Sequence, residues 1–241
     1  MARANRTPGL AIRPMFSWNF SARAVVSGFM RSLCAVAGAA LVACNLAGLA
    51  ETRFPCHQSL NAPMASRTNL SIDSRPGGLH ITGSDDEKIH VTCTTQDSEQ
   101  ARHVHLDFSG NAGHARLSIT GTAEHDSNLE VQIEVPHRTN LYVRMSAGEV
   151  KVEEVKGDKD IDLYAGQITI SSNHEWNYQN VDASVDIGEV KAQAYDADRG
   201  GFFRRFTKTN PNGEYNLHAH VMTGEVDLVG KQKPQGAGTS D

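Results

Sequence analysis

Two histidine pairs in this chain have a spacing that could bind a metal ion. His103 and His105 flank one apolar residue, and so do His218 and His220. On a β-strand, residues two apart point to the same face, so each pair would present two imidazoles together, as in many zinc sites. The same alternation is typical of any half-buried strand, and the sequence identifies no third and fourth ligand. We therefore expect no bound metal and no cofactor.

A repeated tripeptide supplies a second candidate feature, an acidic face. Gly-Glu-Val occurs three times and the variant Gly-Gln-Ile once, at Gly148–Val150, Gly188–Val190, Gly224–Val226 and Gly166–Ile168. Glu149, Glu189 and Glu225 therefore occupy equivalent positions. Calcium loops concentrate several oxygen ligands in one short segment, which these widely spaced glutamates do not. We expect them to be solvated and to form a repetitive polar face that could bind a partner.

The sequence shows no established catalytic motif. No serine lies in a Gly-x-Ser-x-Gly context, and nothing singles out a pair of carboxylates for glycoside cleavage. Trp176 could stack on a sugar, but an aromatic corner of a β-fold needs no ligand. We therefore expect no enzyme activity. The alternative is an envelope enzyme that acts on glycans, with Trp176 in a subsite.

The elements that carry these residues are predicted to be β-strands. The glycines of the tripeptides recur about every 20 residues or a multiple of that, and alternating apolar residues stand on both sides of each one. This pattern predicts strand, glycine turn, strand, with the alternating apolar residues, Ile187 among them, in the core. After residue 50 no segment of a dozen residues has helical periodicity. The fold class is predicted to be all-β, a β-solenoid-like stack of short strands with glycine turns.

One segment interrupts the repeats and is predicted to be a loop. Residues 195–213 contain several glycines and Pro211, together with Phe202, Phe203 and Phe206. Three phenylalanines are not expected to remain in water, so the loop is predicted to fold back over an open sheet edge or the end of the core.

The first 50 residues have the composition of an export signal. They hold five arginines, no acidic residue, and an apolar run over 33–43 that is too short to span a membrane. Translation could begin at Met30. Cleavage could follow Ala50, or it could precede Cys44, which would then be the lipidated residue of a lipoprotein. Both positions remain open.

The remaining chain divides into an arm over 51–69, a β-strand-repeat domain over 70–230 and a disordered tail over 231–241. With cleavage after Ala50, Cys56 and Cys93 are the two cysteines left, and an oxidising compartment favours a disulfide between them. The alternative is that Cys93 is a small buried apolar side chain.

The charge of the chain limits its partners. The net charge is −5, and removing the arginine-rich leader makes the remainder more acidic. Such a surface repels nucleic acid and anionic lipid. We expect no nucleic-acid partner, and membrane contact only through a lipid anchor on Cys44.

The stretch from about Leu70 to Gly230 resembles the bacterial putative-adhesin family of β-strand-repeat proteins. The likeness lies in Leu70–Gly83, Val131–Gly148 and Gly213–Val226. The resemblance implies a β-solenoid that follows a signal peptide or membrane anchor, and it supplies no catalytic or ligand residues. We therefore expect an exported structural or interaction protein of the cell envelope, in the periplasm, at the outer membrane or on the cell surface. Its partner would be an envelope protein or a polysaccharide.

Overall fold

The chain is almost entirely β-structure in the computed structural model, which describes residues 51–95, 98–111, 113–121, 129–171 and 177–230. The predicted leader, Cys44, Trp176 and the predicted tail lie outside these residues. The described strands are β1 Thr52–Pro55, β2 Leu60–Pro63, β3 Asn69–Ser74, β4 Gly77–Ser84, β5 Lys88–Thr94, β6 His105–Asn111, β7 His114–Thr120, β8 Glu130–Pro136, β9 Asn140–Glu153, β10 Lys159–Ser171, β11 Tyr178–Ala192, β12 Ala197–Thr209 and β13 Tyr215–Val229. A short helix, α1, spans Ser98–His103. None of the described helices has the length and apolarity needed to cross a membrane. The predicted all-β class is confirmed.

All thirteen described strands belong to one sheet. Its main path runs β1-β6-β7-β3-β9-β10-β13-β11-β12, and β2, β5, β8 and β4 form a branch that also joins β9. The long strand β9 connects the main path with the branch, because its first part pairs with β3 and its last part pairs with β4. The pairs β9–β10, β10–β13 and β13–β11 are parallel, whereas β11–β12 is antiparallel.

A row of glycines crosses the sheet through the middle of its long strands. Its members, which pair side by side in this order, are Gly77, Gly148, Gly166, Gly224, Gly188 and Gly201. On β9 the buried residues are Leu141, Val143 and Met145 before this glycine row, but Val150 and Val152 after it. Both sets belong to one buried cluster, and none of the described helices is long enough to cover either. The sheet therefore folds along the glycine row, and its two halves cover each other.

The repeated glycines differ from the predicted turns between separate short strands. Each long strand continues through its glycine, and the positive φ values, for example +122° at Gly148 and +146° at Gly224, redirect the backbone without ending the pairing. Glycine adopts these angles without the clash that a Cβ would cause. Ile187, predicted to lie in the core, is 48% exposed because it directly precedes Gly188, where the inward alternation shifts.

The predicted arm, residues 51–69, contributes two short edge strands to the sheet. β1 pairs with β6, and β2 pairs with β5. Pro55 and Pro63 stand at the last positions of these strands, where a missing N–H donor costs little. The proline content that suggests an arm is thus compatible with strands that end the sheet.

Cys56 and Cys93 are joined in the structure, with their Cα atoms 4.8 Å apart and both side chains buried. Cys56 follows β1, which lies on the β6, β7 and β3 side of the fold. Cys93 lies on β5, in the branch with β8 and β4. The bond therefore connects the two halves of the sheet at the end that is far from β12.

The segment predicted to be a loop, 195–213, contains the thirteen-residue strand β12, which is the last strand of the main path. It forms a strand because it pairs along its length with β11, with Gly201 opposite Gly188. Only part of the expected burial occurs. Phe206 is buried, while Phe202 and Phe203 are 68% and 81% exposed.

One lysine lies inside the fold. Lys159 begins β10, is 2% exposed, and donates hydrogen bonds from Nζ to the carbonyl oxygens of Val155 (2.7 Å) and Gly157 (3.3 Å) and to the hydroxyl of Tyr178. Burial of the ammonium lowers the pKa of Lys159 to about 7.

Candidate functional site

The three glutamates predicted to form an acidic face do not form a continuous row. The parallel register places Glu149 beside Gln167, Gln167 beside Glu225, and Glu225 beside Glu189. The structure therefore brings Glu225 and Glu189 together, while the glutamine of the variant tripeptide separates Glu149 from them.

Basic side chains lie against the acidic positions of this region. Lys191 Nζ is 2.8 Å from Glu225 Oε1 and 3.5 Å from Glu189 Oε2. The hydrogen bond to Glu225 holds the pKa of Lys191 above its ordinary value. Near Glu149, His80 Nε2 lies 2.5 Å from Glu153 Oε2, and this hydrogen bond, followed by that from Lys151, lowers the pKa of Glu153. Of the predicted acidic face, Glu189 and Glu225 are thus ion-paired with Lys191, and the ion pairs near Glu149 belong to Glu153.

A second polar surface lies on the outward side of β10, β13 and β11, before the glycine row. Asp160 pairs across the strands with His218, and His218 pairs with Asp182. In the next outward row, Asp162 pairs with His220. The residues between them, such as Ile161 and Ala219, point inward and are fully buried. We call the outward set the histidine–aspartate face, which consists of Asp160, Asp162, Asp182, Asp186, His218 and His220.

The imidazoles of this face lie between carboxylates of both neighbouring strands. His218 Nε2 is 3.8 Å from Asp162 Oδ1, and His218 Nδ1 is 3.7 Å from Asp182 Oδ2. His220 Nδ1 is 3.7 Å from the same Asp162 oxygen, and His220 Nε2 is 3.6 Å from Asp186 Oδ1. These separations are too long for hydrogen bonds. Each imidazole thus has carboxylate oxygens on both sides, beyond hydrogen-bonding distance.

Two arginines hold three of these carboxylates in place. Arg144 lies 2.9 Å from Asp160 Oδ2 and 3.1 Å from Asp162 Oδ2. Arg205 donates to both oxygens of Asp182, at 2.6 Å for the contact from Nε, and these hydrogen bonds hold the pKa of Asp182 below its ordinary value. Because each arginine is planar and forked, it fixes the orientation of the carboxylates as well as their charge.

A groove of about 540 Å³ adjoins this face. We call it the Tyr164 groove; its lining includes Tyr164, Met222, Asp73, Arg144, Asp162 and His220. The Tyr164 side chain is 61% exposed, and Met222 beside it is also exposed. The groove therefore combines an aromatic platform with charged groups of both signs, and its volume is in the usual range of ligand sites.

The spacing of residues before the repeated glycines indicates the histidine–aspartate face, although no single motif does. Asp160 and Asp162, His218 and His220, and Asp182 and Ser184 stand at the same two offsets before Gly166, Gly224 and Gly188. Aligning the tripeptides on their glycines places these residues at equivalent strand positions, although it does not show which strands are neighbours. The histidine pair alone could not show it, because the additional carboxylates come from other strands. One ligand atom each from Asp160, Asp162 and His218 lies within 4.8 Å of the other two.

No protein family matches the sequence, and no curated protein does. Among solved structures, a "putative cell adhesion protein" from Clostridium sporogenes is similar to this chain, with 11% sequence identity and a TM-score of 0.43. The likeness covers 72% of this chain and 99% of that chain. A similarity of this extent carries no argument about function.

Proposed function

We propose that the chain is an exported, adhesin-like interaction protein of the cell envelope, without catalytic activity, that binds a polysaccharide or a partner protein through its outward polar surface. Its architecture is β-solenoid-like: β9, β10, β13 and β11 are parallel, in register and folded at the same glycine row. Equivalent outward positions on these strands are therefore displayed side by side, as a repeating binding surface requires.

The observation that carries this proposal is the Tyr164 groove. An exposed aromatic ring next to forked charged groups suits a sugar, whose ring packs on the aromatic face while its hydroxyls bond to arginine and carboxylate. Tyr164 remains exposed in a fold that buries nearly all the aliphatic residues of its described strands. The exposed ring favours a polysaccharide as the partner, and it favours the Tyr164 groove over the three glutamates as the binding surface.

The binding proposal predicts that Tyr164→Ala weakens attachment to the preferred glycan about tenfold, which corresponds to about 1.4 kcal/mol. The melting temperature should hardly change, because the side chain is mostly exposed. A glycan array followed by titration calorimetry on the strongest hit would measure both the partner and the loss. Phe203→Ala, an exposed aromatic on β12, is the matched control and should bind like the unaltered protein.

A triple variant tests the competing surface. If Glu149→Gln, Glu189→Gln and Glu225→Gln together abolish binding while Tyr164→Ala does not, the glutamates are the binding surface and the groove assignment is wrong. If the protein binds no glycan on the array, a partner protein remains the proposed ligand of the Tyr164 groove. Release of new reducing ends from a bound glycan would instead identify the alternative, an envelope enzyme.

The export proposal predicts the mass of the protein recovered from the envelope of expressing cells. The intact mass should correspond to a chain that begins after Ala50, or at Cys44 with added lipid. A non-reduced peptide map of the same material should contain Cys56 linked to Cys93. An unprocessed N-terminus would contradict the predicted export. Two free thiols in the unfolded and unreduced protein would contradict the disulfide.

A further inference from the structure

We propose that Asp160, Asp162 and His218 bind a divalent transition-metal ion, with zinc as the best-matched example. This inference goes beyond the glycan-binding proposal and does not depend on it. One imidazole nitrogen and two carboxylate oxygens are a donor set that zinc accepts in proteins with one further position open to water.

The distances fit a shared ion better than they fit direct contacts. His218 Nε2 and Asp162 Oδ1 are 3.8 Å apart, beyond hydrogen-bond reach. Two ligands that bind one tetrahedral zinc at about 2.0–2.1 Å are about 3.3 Å from each other. The His218–Asp162 pair would have to close by about half an ångström, and a pair at the 4.8 Å limit of the three ligand atoms by about 1.5 Å, which flexible side chains can supply without any change in the strands.

The other side of the imidazole is arranged as it is at known types of metal centre. With Nε2 facing the ion, His218 Nδ1 faces Asp182 Oδ2 at 3.7 Å. A carboxylate that accepts a hydrogen bond from a metal-binding histidine fixes the ring tautomer and makes the ligand nitrogen more basic, and Asp182 would have to approach Nδ1 by about half an ångström to do so. Asp182 is itself held by Arg205, so the acceptor is oriented before any ion arrives.

Arg144 leaves the ligand oxygen of Asp162 accessible. Its guanidinium contacts the Oδ2 atoms of Asp160 and Asp162, while Asp162 Oδ1 faces both His218 and His220. The arginine therefore orients the two carboxylates, although its positive charge also reduces the attraction for a cation.

The charge of the surface favours a divalent cation. The histidine–aspartate face carries four carboxylates, whereas the arginines that contact it, Arg144 and Arg205, number two. Two negative charges remain uncompensated when the histidines are neutral. An ion of charge +2 balances them.

The test is zinc titration of the full chain, made without a polyhistidine tag and stripped with a chelator. We expect one zinc ion bound at this face by calorimetry, with a rise in melting temperature. His218→Ala and Asp162→Asn should each weaken zinc binding by at least about tenfold, and Asp182→Asn by about 10–100-fold. His114→Ala, an exposed histidine on β7, is the matched control and should bind like the unaltered protein.

Melting curves of the metal-free variants show whether each one folds. If His218→Ala does not fold, Asp162→Asn still tests the proposal. No zinc binding by the unaltered protein at millimolar concentration would overturn the proposal. Equal binding by the unaltered protein and a folded Asp162→Asn or His218→Ala variant would overturn it as well, since the ion would then lie elsewhere in the chain.

Discussion

Gly188→Val is expected to destabilise the fold more than any other single change along the glycine row. A Cβ at this position would lie 1.7 Å from the carbonyl oxygen of Gly224 and 2.8 Å from its carbon. Both atoms belong to the backbone of the central strand β13, so no side-chain rotation can relieve the contact. The φ angle of +143° adds strain for any residue with a Cβ. Strain and overpacking together give a loss of about 2–6 kcal/mol in the free energy of unfolding.

Urea denaturation followed by circular dichroism measures this loss, and Gly200→Val supplies the control. Gly200 is on β12, close to the same row, but a Cβ there would meet no atom within 4 Å. Valine also favours extended backbone. Gly200→Val should therefore change stability by no more than about 0.5 kcal/mol. Equal midpoints for the two variants would mean that the close approach of strands at the row is not what requires glycine.

Lys159→Met is expected to remove a large pH dependence from the stability of the protein. Burial lowers the pKa of Lys159 from 10.5 to about 7. Between these values the unfolded chain holds a proton that the folded chain has released, so the free energy of unfolding of the unaltered protein rises with pH. The difference between the two pKa values corresponds to about 5 kcal/mol over the whole window. Below pH 7 both states are protonated, and this contribution is constant.

Denaturation curves at intervals from pH 6 to pH 10 would measure the effect as the difference between the two proteins. Methionine has a similar unbranched shape and does not titrate, so that difference should be flat below pH 7 and grow above it. Lys88→Met removes an exposed lysine from β5 and should reproduce the pH profile of the unaltered protein. Parallel profiles for the unaltered protein and Lys159→Met would show that the buried amine keeps its proton.

The fold class was predictable because it depends on local alternation. The strand that carries Leu141 and Val143 has one inward face, and period-two patterns show such a face directly. The segment around Gly200 and Gly201 was predicted to be a loop because glycine disfavours strands locally. In the sheet, however, Gly201 stands opposite Gly188 with a φ of +114°, an angle that residues with a Cβ rarely adopt. A residue that weakens an isolated strand is thus the one that the folded sheet requires.

The candidate site was less predictable because it is built across strands. His218 and His220 were visible as a pair, but Asp162 and Asp182 become their neighbours only through the order β10-β13-β11. That order departs from the order of the chain. Exposure of Phe202 and Phe203 was also missed, because apolar residues were expected to find cover and β12 has no strand on its outer side among those described.

The order of the strands also determines when this part of the sheet can form. β13 follows β11 and β12 in the chain, yet it lies between β10 and β11 and pairs with both. Strands β11 and β12 can form a hairpin early, but that hairpin has no place beside β10 until residues 215–229 have been synthesised. Pairing between such distant segments is slow, because a long loop must close before any contact rewards it. The C-terminal half is therefore expected to remain open until its last strand is available, so any event that requires an unfolded chain has its widest time window before residues 215–229 emerge.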